Sequence, residues 1–191
     1  HLTVRKTRFS YEEYVALDEV SFEAQGFTKI GIVGTSGAGK STLINLLGGF
    51  FSPDEGEIEL GTGPTTTVDL SDFAQSDWQK HVIYIPQDPY IFNVSLRDNI
   101  TFYHPTATDE EVGHAVEVVG LESLIAELPD GLSTTIGEGA RPLSCGQVQR
   151  IALARAFLDR SRRILLFDEP TAHLDIETEM ELKERMLPLM E

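Results

Sequence analysis

This chain of 191 residues has a single cysteine, Cys145, so it can form no internal disulfide. That poverty fits a reducing, cytosolic setting. Positive charge is scarce as well: 15 Lys and Arg stand against 31 Asp and Glu, a net charge of −16. So acidic a surface repels phosphate backbones and anionic headgroups, which excludes nucleic acid and direct lipid binding from the expected partners. No apolar run approaches the roughly 18 residues that cross a bilayer. Lys6, Arg8, Glu12 and Glu13 interrupt the first apolar residues, so these residues are not expected to act as a signal peptide. Internal repeats and low-complexity tracts are missing too.

What is present is a globular composition, 41% hydrophobic and 24% charged, at a length that suits one domain with a substantial core. Both ends are abrupt. His1-Leu2-Thr3-Val4 reads as the inside of a strand, and residues 180–191 as a helix with no terminal glycine. The expectation is a domain excised from a longer polypeptide.

Alternating apolar residues such as Val4, Val20 and Phe22 predict strands over the first third, and 28–33 reads as a short apolar strand. Helix formers at 40–47 are stopped by Gly48-Gly49. Pro53-Asp54-Glu55-Gly56 predicts a turn before a strand at 57–60, and 61–67 reads as an exposed loop. Further strands are expected at 82–85 and 164–167, and helices at 109–119, 122–128 and 146–158. Strand–loop–helix order around two motif-bearing segments predicts an α/β core with ligands at the carboxyl ends of its strands.

The segment Gly34-Thr35-Ser36-Gly37-Ala38-Gly39-Lys40-Ser41-Thr42 fits G-x-x-x-x-G-K-[ST] between an expected strand and an expected helix. Glycines let the backbone wrap phosphates without side chains in the way. The amides of residues 37–41 and the helix start supply positive potential. Lys40 is placed to reach β- and γ-phosphates, and the Ser41 hydroxyl to bind Mg²⁺. Asp168 ends the apolar run Ile164-Leu165-Leu166-Phe167, where it can hold Mg²⁺ or a water bound to it, and Glu169 can polarise an attacking water. Ser144-Cys145-Gly146-Gln147 matches Ser-x-x-Gln, a capping box that opens a helix. Ser144, the Gly146 amide and the helix dipole would form a second phosphate-binding terminus. One triphosphate does not need two such termini. Two copies facing each other would.

With these motifs in this order, the chain resembles the nucleotide-binding domain of an ATP-binding-cassette (ABC) transporter over essentially its whole length. The resemblance implies an α/β fold: a P-loop NTPase core with a mainly parallel sheet, an N-terminal antiparallel β-subdomain and an inserted α-helical subdomain. It places core and β-subdomain at 1–93 and 159–191, and the helical subdomain at 94–158, ending in the signature helix. It implies ATP and Mg²⁺ as ligands, and as partners a second nucleotide-binding domain (in a homo- or heterodimer) and a transmembrane domain. The site would lie at the cytoplasmic face of the membrane. Tyr11 matches the aromatic that stacks on adenine, although Phe9 and Tyr14 nearby leave plain packing open. Gln87 matches the glutamine that contacts Mg²⁺ and senses the membrane domain. Ser144, Cys145, Gly146 and Gln147 match the signature that covers the partner's γ-phosphate, and Asp175, in Ala172-His173-Leu174-Asp175, matches the D-loop residue that crosses the interface.

The chain departs from the family pattern in two respects. Cys145 replaces the first signature glycine, at a cost of about 1–2 kcal/mol if that position needs a left-handed backbone. If the backbone is ordinary there, the thiol only crowds the partner's phosphate. The family's switch histidine follows a strand beyond the D-loop, past Glu191, so poor hydrolysis by the fragment is expected. The segments Pro89-Tyr90-Ile91-Phe92 and Ser95-Leu96-Arg97-Asp98-Asn99-Ile100 resemble the exporter branch, and residues 168–179 resemble a bacterial cysteine and glutathione exporter. Two other readings stay open, a regulatory half with little turnover and the ATPase subunit of an importer.

Overall fold

The computed structural model of the protein describes residues 1–63, 66–159, 162–171, 174–177, 179–180 and 184. They fall into two compact units, His1–Tyr84 and Ile85–Glu191.

The first unit is built on a hairpin of β1 (Leu2–Tyr11) and β2 (Tyr14–Ala24), with Tyr11 opposite Tyr14 at its turn. β3 (Glu55–Gly63) pairs with the other edge of β1, and β4 (Thr66–Asp69) with β3, giving an antiparallel sheet of order β2-β1-β3-β4. Val4 and Ile58, opposite each other on β1 and β3, are each 1% exposed. α1 (Lys40–Leu47) buries Leu43, Ile44, Leu46 and Leu47. It stops where Gly49 turns left-handed at φ 72°. Trp78, the last residue of the short helix α2 (Gln75–Trp78), is 1% exposed and donates from Nε1 to the Leu47 carbonyl at 2.9 Å. The end of α1 is thereby both capped and packed.

β5 (Val82–Ile85) leads into the second unit, where the Asp168 amide donates to the Ile85 carbonyl at 3.0 Å. The carboxyl ends of β5 and of the last strand, β8 (Ile164–Phe167), therefore meet. Between them come β6 (Val94–Ser95), α3 (Leu96–Ile100), α4 (Asp109–Val119), α5 (Glu122–Glu127), β7 (Thr135–Ile136) and α6 (Cys145–Leu158). β6 and β7 form a two-residue antiparallel ladder. α4 begins at a Thr108–Glu111 capping box and ends at left-handed Gly120. α3 and α4 pack on α6. Leu96, Ile100, Val112 and Val119 meet exposures of zero, as do Ile136, Ile151 and Leu153. Burial of each such side chain contributes roughly 1.5–3 kcal/mol.

Two expectations are corrected. Residues 28–33 form no strand; Phe27 just before the segment and Val33 at its end are 94% and 93% exposed. A short apolar run becomes a strand only by ladder pairing, and the described ladders of this unit join β1, β2, β3 and β4 instead. Residues 61–67 are not simply a loop either. Gly61 pairs with Thr67 and Gly63 with Thr66, closing the β3–β4 hairpin. The register set by β1 on β3 carries that ladder further than Gly and Thr propensities suggest.

Candidate functional site

The glycine loop and the Asp168–Glu169 pair belong to different compact units, and each has its own geometry. In the first unit, residues 34–38 are exposed and bend over the start of α1. Gly37 and Gly39 are left-handed, at φ 80° and 85°. Gly39 is the N-cap of α1, and a Cβ there would collide with the Ala16 carbonyl and lie 2.9 Å from Leu17 Cδ2. Only glycine lets the loop pass that close to β2. Lys40 curls back over the loop and donates from Nζ to the carbonyls of Gly34 and Thr35, both at 3.1 Å. Its ammonium thus sits across the mouth of the loop, on the exposed side of the helix start. Ser41 is exposed beside it, and Thr42 is buried.

Two tyrosines brace the loop from the β1–β2 turn. Tyr11 Oη and Thr42 Oγ1 lie 3.3 Å apart, and Tyr14 Oη donates to the Gly37 carbonyl at 3.3 Å. The Tyr11 ring also meets Phe9 edge-on at 5.0 Å and Phe51 at 6.0 Å. The structure therefore gives Tyr11 both a packing role and a place beside the loop, with 44% of its surface exposed. Sequence alone marks Tyr14 only as a packing neighbour of Tyr11, not as a contact of the loop. The only available signal was a second tyrosine across a two-residue turn, and its contact depends on a tertiary approach.

In the second unit, Asp168 is 7% exposed at the end of β8. Glu169 is exposed and left-handed at φ 49°, a conformation that costs a non-glycine residue roughly 1–3 kcal/mol. Gln87 is exposed in the bend just past β5, two residues after the Ile85 carbonyl that holds Asp168. The junction of β5 and β8 thus gathers an amide and two carboxylates on adjacent turns.

Ser144 is the N-cap of α6. Its Oγ accepts from the Gln147 amide at 3.2 Å, and Gln147 Oε1 accepts from the Ser144 amide at 2.9 Å, which completes the expected capping box. Cys145 is the first helical residue, exposed, and not among the residues with positive φ. The left-handed alternative is therefore excluded, and with it the strain. A Cβ on Gly146 would lie 3.1 Å from Leu174 Cδ2. Asp175 is exposed next to that leucine, and its carbonyl accepts from the Glu179 amide at 2.9 Å. Ala172 and His173 lie outside the described residues.

A glycine loop that turns into a helix beneath its own lysine, in a chain of mixed strands and helices, defines a nucleotide-binding protein of the phosphate-loop class. Comparison with known proteins narrows this. The family described as "ABC transporter" matches residues 17–172. The glutathione/L-cysteine transport system ATP-binding/permease protein CydC of Bacillus subtilis (strain 168) is 55% identical over 177 residues, 92% of this chain and 30% of that protein. The mesentericin-Y105 transport/processing ATP-binding protein MesD of Leuconostoc mesenteroides is 38% identical over 177 residues, 92% of this chain and 24% of that protein. The solved structure of a bacterial Atm1-family ABC exporter with ATP bound superposes with TM-score 0.87 at 34% identity, covering 100% of this chain and 32% of that one. The chain belongs to the ABC transporter family, as an ATP-binding domain of the exporter type. It spans about a third or less of the length of these relatives.

Proposed function

We propose that this chain is the ATP-hydrolysing motor of an ABC exporter that closes as a dimer on two Mg-ATP molecules. The observation that carries the reading is Lys40 lying across the carbonyls of Gly34 and Thr35 at the start of α1. An ammonium held there by neutral oxygens exchanges them readily for the charged oxygens of a β- or γ-phosphate. The amides of residues 37–41 and Thr42 complete the cradle, and Tyr11 offers its ring to the adenine. Tyr14, by bonding the Gly37 carbonyl, would hold the loop in its open curve.

The donors suited to the metal are hard oxygens: the Ser41 hydroxyl, the Gln87 side-chain carbonyl and the Asp168 carboxylate. Oxygen donors with a single carboxylate among them suit Mg²⁺, which leaves its remaining positions to phosphates and water. Bound Mg²⁺ would neutralise charge on the β- and γ-phosphates. Glu169, exposed in its left-handed turn, would orient the attacking water and take its proton. Ser144 and the amides of Cys145, Gly146 and Gln147 would face the ATP held by the partner copy, with Asp175 crossing the interface.

The finer architecture proposed is a single nucleotide-binding domain. Its parallel-sheet core and β-subdomain take 1–93 and 159–191, and its helical subdomain 94–158. A transmembrane domain is the proposed partner, at the cytoplasmic face of the membrane. Export of cysteine or glutathione is the proposed cargo function, supported by 55% identity to a relative whose name carries those substrates.

Phosphate release with Mg-ATP over a range of protein concentrations tests the motor reading, with Lys40→Ala as the blank. A specific activity that rises with concentration is expected. Glu169→Gln in the assembled dimer should abolish nearly all of it, a loss of roughly 10²–10⁴. Unchanged turnover would instead favour the regulatory-half reading, for which Cys145 in the signature is the motivating observation.

A further inference from the structure

Arg155 lies in the fourth turn of α6 and is only 8% exposed. Its guanidinium donates from Nε to the Asn99 carbonyl at 2.6 Å, from Nη2 to Asn99 Oδ1 at 2.7 Å, and from Nη1 to the Tyr90 carbonyl at 2.7 Å. The rings of Phe92 and Phe102 lie 5.4 and 6.0 Å from its central carbon. Among the described residues no carboxylate pairs with it. Burial pulls its pKa down to about 10, which leaves it charged at neutral pH.

Asn99 extends this network. It is fully buried; Oδ1 also accepts from the Phe92 amide at 2.9 Å, and Nδ2 donates to the carbonyls of Phe92 at 2.9 Å and Ser95 at 3.1 Å. The segment from Tyr90 to Asn99, which begins three residues after Gln87, is thus folded around two side chains. A buried cation balanced by neutral oxygens and two aromatic rings, with no carboxylate among the described residues, is an expensive way to fill space. Its worth depends on the 90–99 segment keeping the shape that aims three oxygens at one planar fork. Ten residues toward the start of the same rigid helix, about 15 Å away, are Cys145 and the Ser144 cap.

We propose that Arg155 and Asn99 form a tie that fixes the segment following Gln87 to the helix presenting Ser144 and Gly146, so that Arg155 is a positioning residue for hydrolysis at the partner copy's site. The inference rests on the reading above in which that helix terminus faces the partner's ATP. A shift of the segment after Gln87 is then passed to the helix as a change of tilt rather than lost in loose packing.

The test is steady-state ATP hydrolysis by the assembled protein with Arg155→Lys, which keeps the charge but not the fork. Asn99→Ser is the milder second variant, and thermal midpoints are measured on each. A fall in kcat of about 10-fold is expected, with the KM for ATP within about twofold, because misplacing a group by a fraction of an ångström is enough for such a loss. Asn99→Ser should fall less. The double variant Arg155→Lys/Ser144→Ala should turn over no more slowly than Ser144→Ala alone, since both act through one helix terminus. Unchanged kcat per folded molecule in both tie variants overturns the proposal, as does a loss that simply adds to that of Ser144→Ala. If Ser144→Ala itself leaves kcat intact, the partner-site reading fails first and takes this inference with it.

Discussion

Gly146, the second helical residue of α6, lies so close to Leu174 that a Cβ in its place would stand 3.1 Å from the leucine's Cδ2. Glycine at this point of the signature therefore has a reason within the chain itself. It lets the helix start sit against the segment that carries Asp175, whatever it also offers to a partner's phosphate.

Gly146→Ala should consequently act through Leu174. The leucine is half-buried and its tip can swing by a few tenths of an ångström, so the crowding should cost less than about 1 kcal/mol, and the roughly 0.5–1 kcal/mol gained by removing a helical glycine should leave stability nearly unchanged. Turnover should fall by about 10-fold, because on the proposed reading both pieces the contact joins would face the partner copy. Adding Leu174→Ala should restore part of that loss. A double-mutant cycle in kcat measures the coupling, and strictly additive effects would mean that the contact carries nothing.

Cys145→Gly restores the family residue at a position where the structure finds ordinary helical backbone. On the proposed reading the helical backbone already offers the Cys145 amide, so what the substitution removes is a thiol. A gain in turnover below about 10-fold is expected, well short of the roughly 10²–10³ that a missing donor costs. Helix stability should fall slightly, by about 0.5–1 kcal/mol against a residue with a Cβ. A hundredfold gain in phosphate release would show instead that the Cys145 amide is turned away from its task.

Trp78→Phe concerns the first unit alone. It deletes the donor to the Leu47 carbonyl at the end of α1 and leaves that acceptor buried. The unmade hydrogen bond costs about 1–3 kcal/mol, and the lost ring atoms add a cavity. A decrease near 2–3 kcal/mol in urea-unfolding stability is expected, with ATP affinity within about threefold because the phosphate loop lies at the other end of the helix. Equal stability would mean that water replaces the indole donor there.

The elements that sequence located well are those with local cause. α1 runs from Lys40 to Leu47, with Gly48-Gly49 where a helix must stop. α4 keeps its predicted bounds between a capping box and Gly120, and β5 and β8 keep theirs. The Ser144–Gln147 box forms as its spacing requires. The helices and their caps depend on residues within four positions of one another, whereas β5 and β8, though well bounded by their apolar runs, pair with each other across the chain.

Pairing was different. The β3–β4 ladder reaches Gly63 and Thr66 because β1 fixes β3, whereas the apolar residues 28–33 enter no ladder. A strand is defined by partners distant in sequence, which alternation alone does not name. Tyr14 on the Gly37 carbonyl and Arg155 on Asn99 belong to the same class, the latter bridging 56 positions.

By itself, then, the sequence determined the chemistry: a lysine and a hydroxyl at a glycine loop, two acids after an apolar run, and a serine-capped helix start. Spacing along one chain is enough to place such groups at turns and helix ends. Tertiary structure decided how they are held. It chose the left-handed turn of Glu169, the packing of Gly146 on Leu174 and the buried fork of Arg155. Those choices depend on which surfaces exclude water from which polar groups, a property that exists only once distant segments have met.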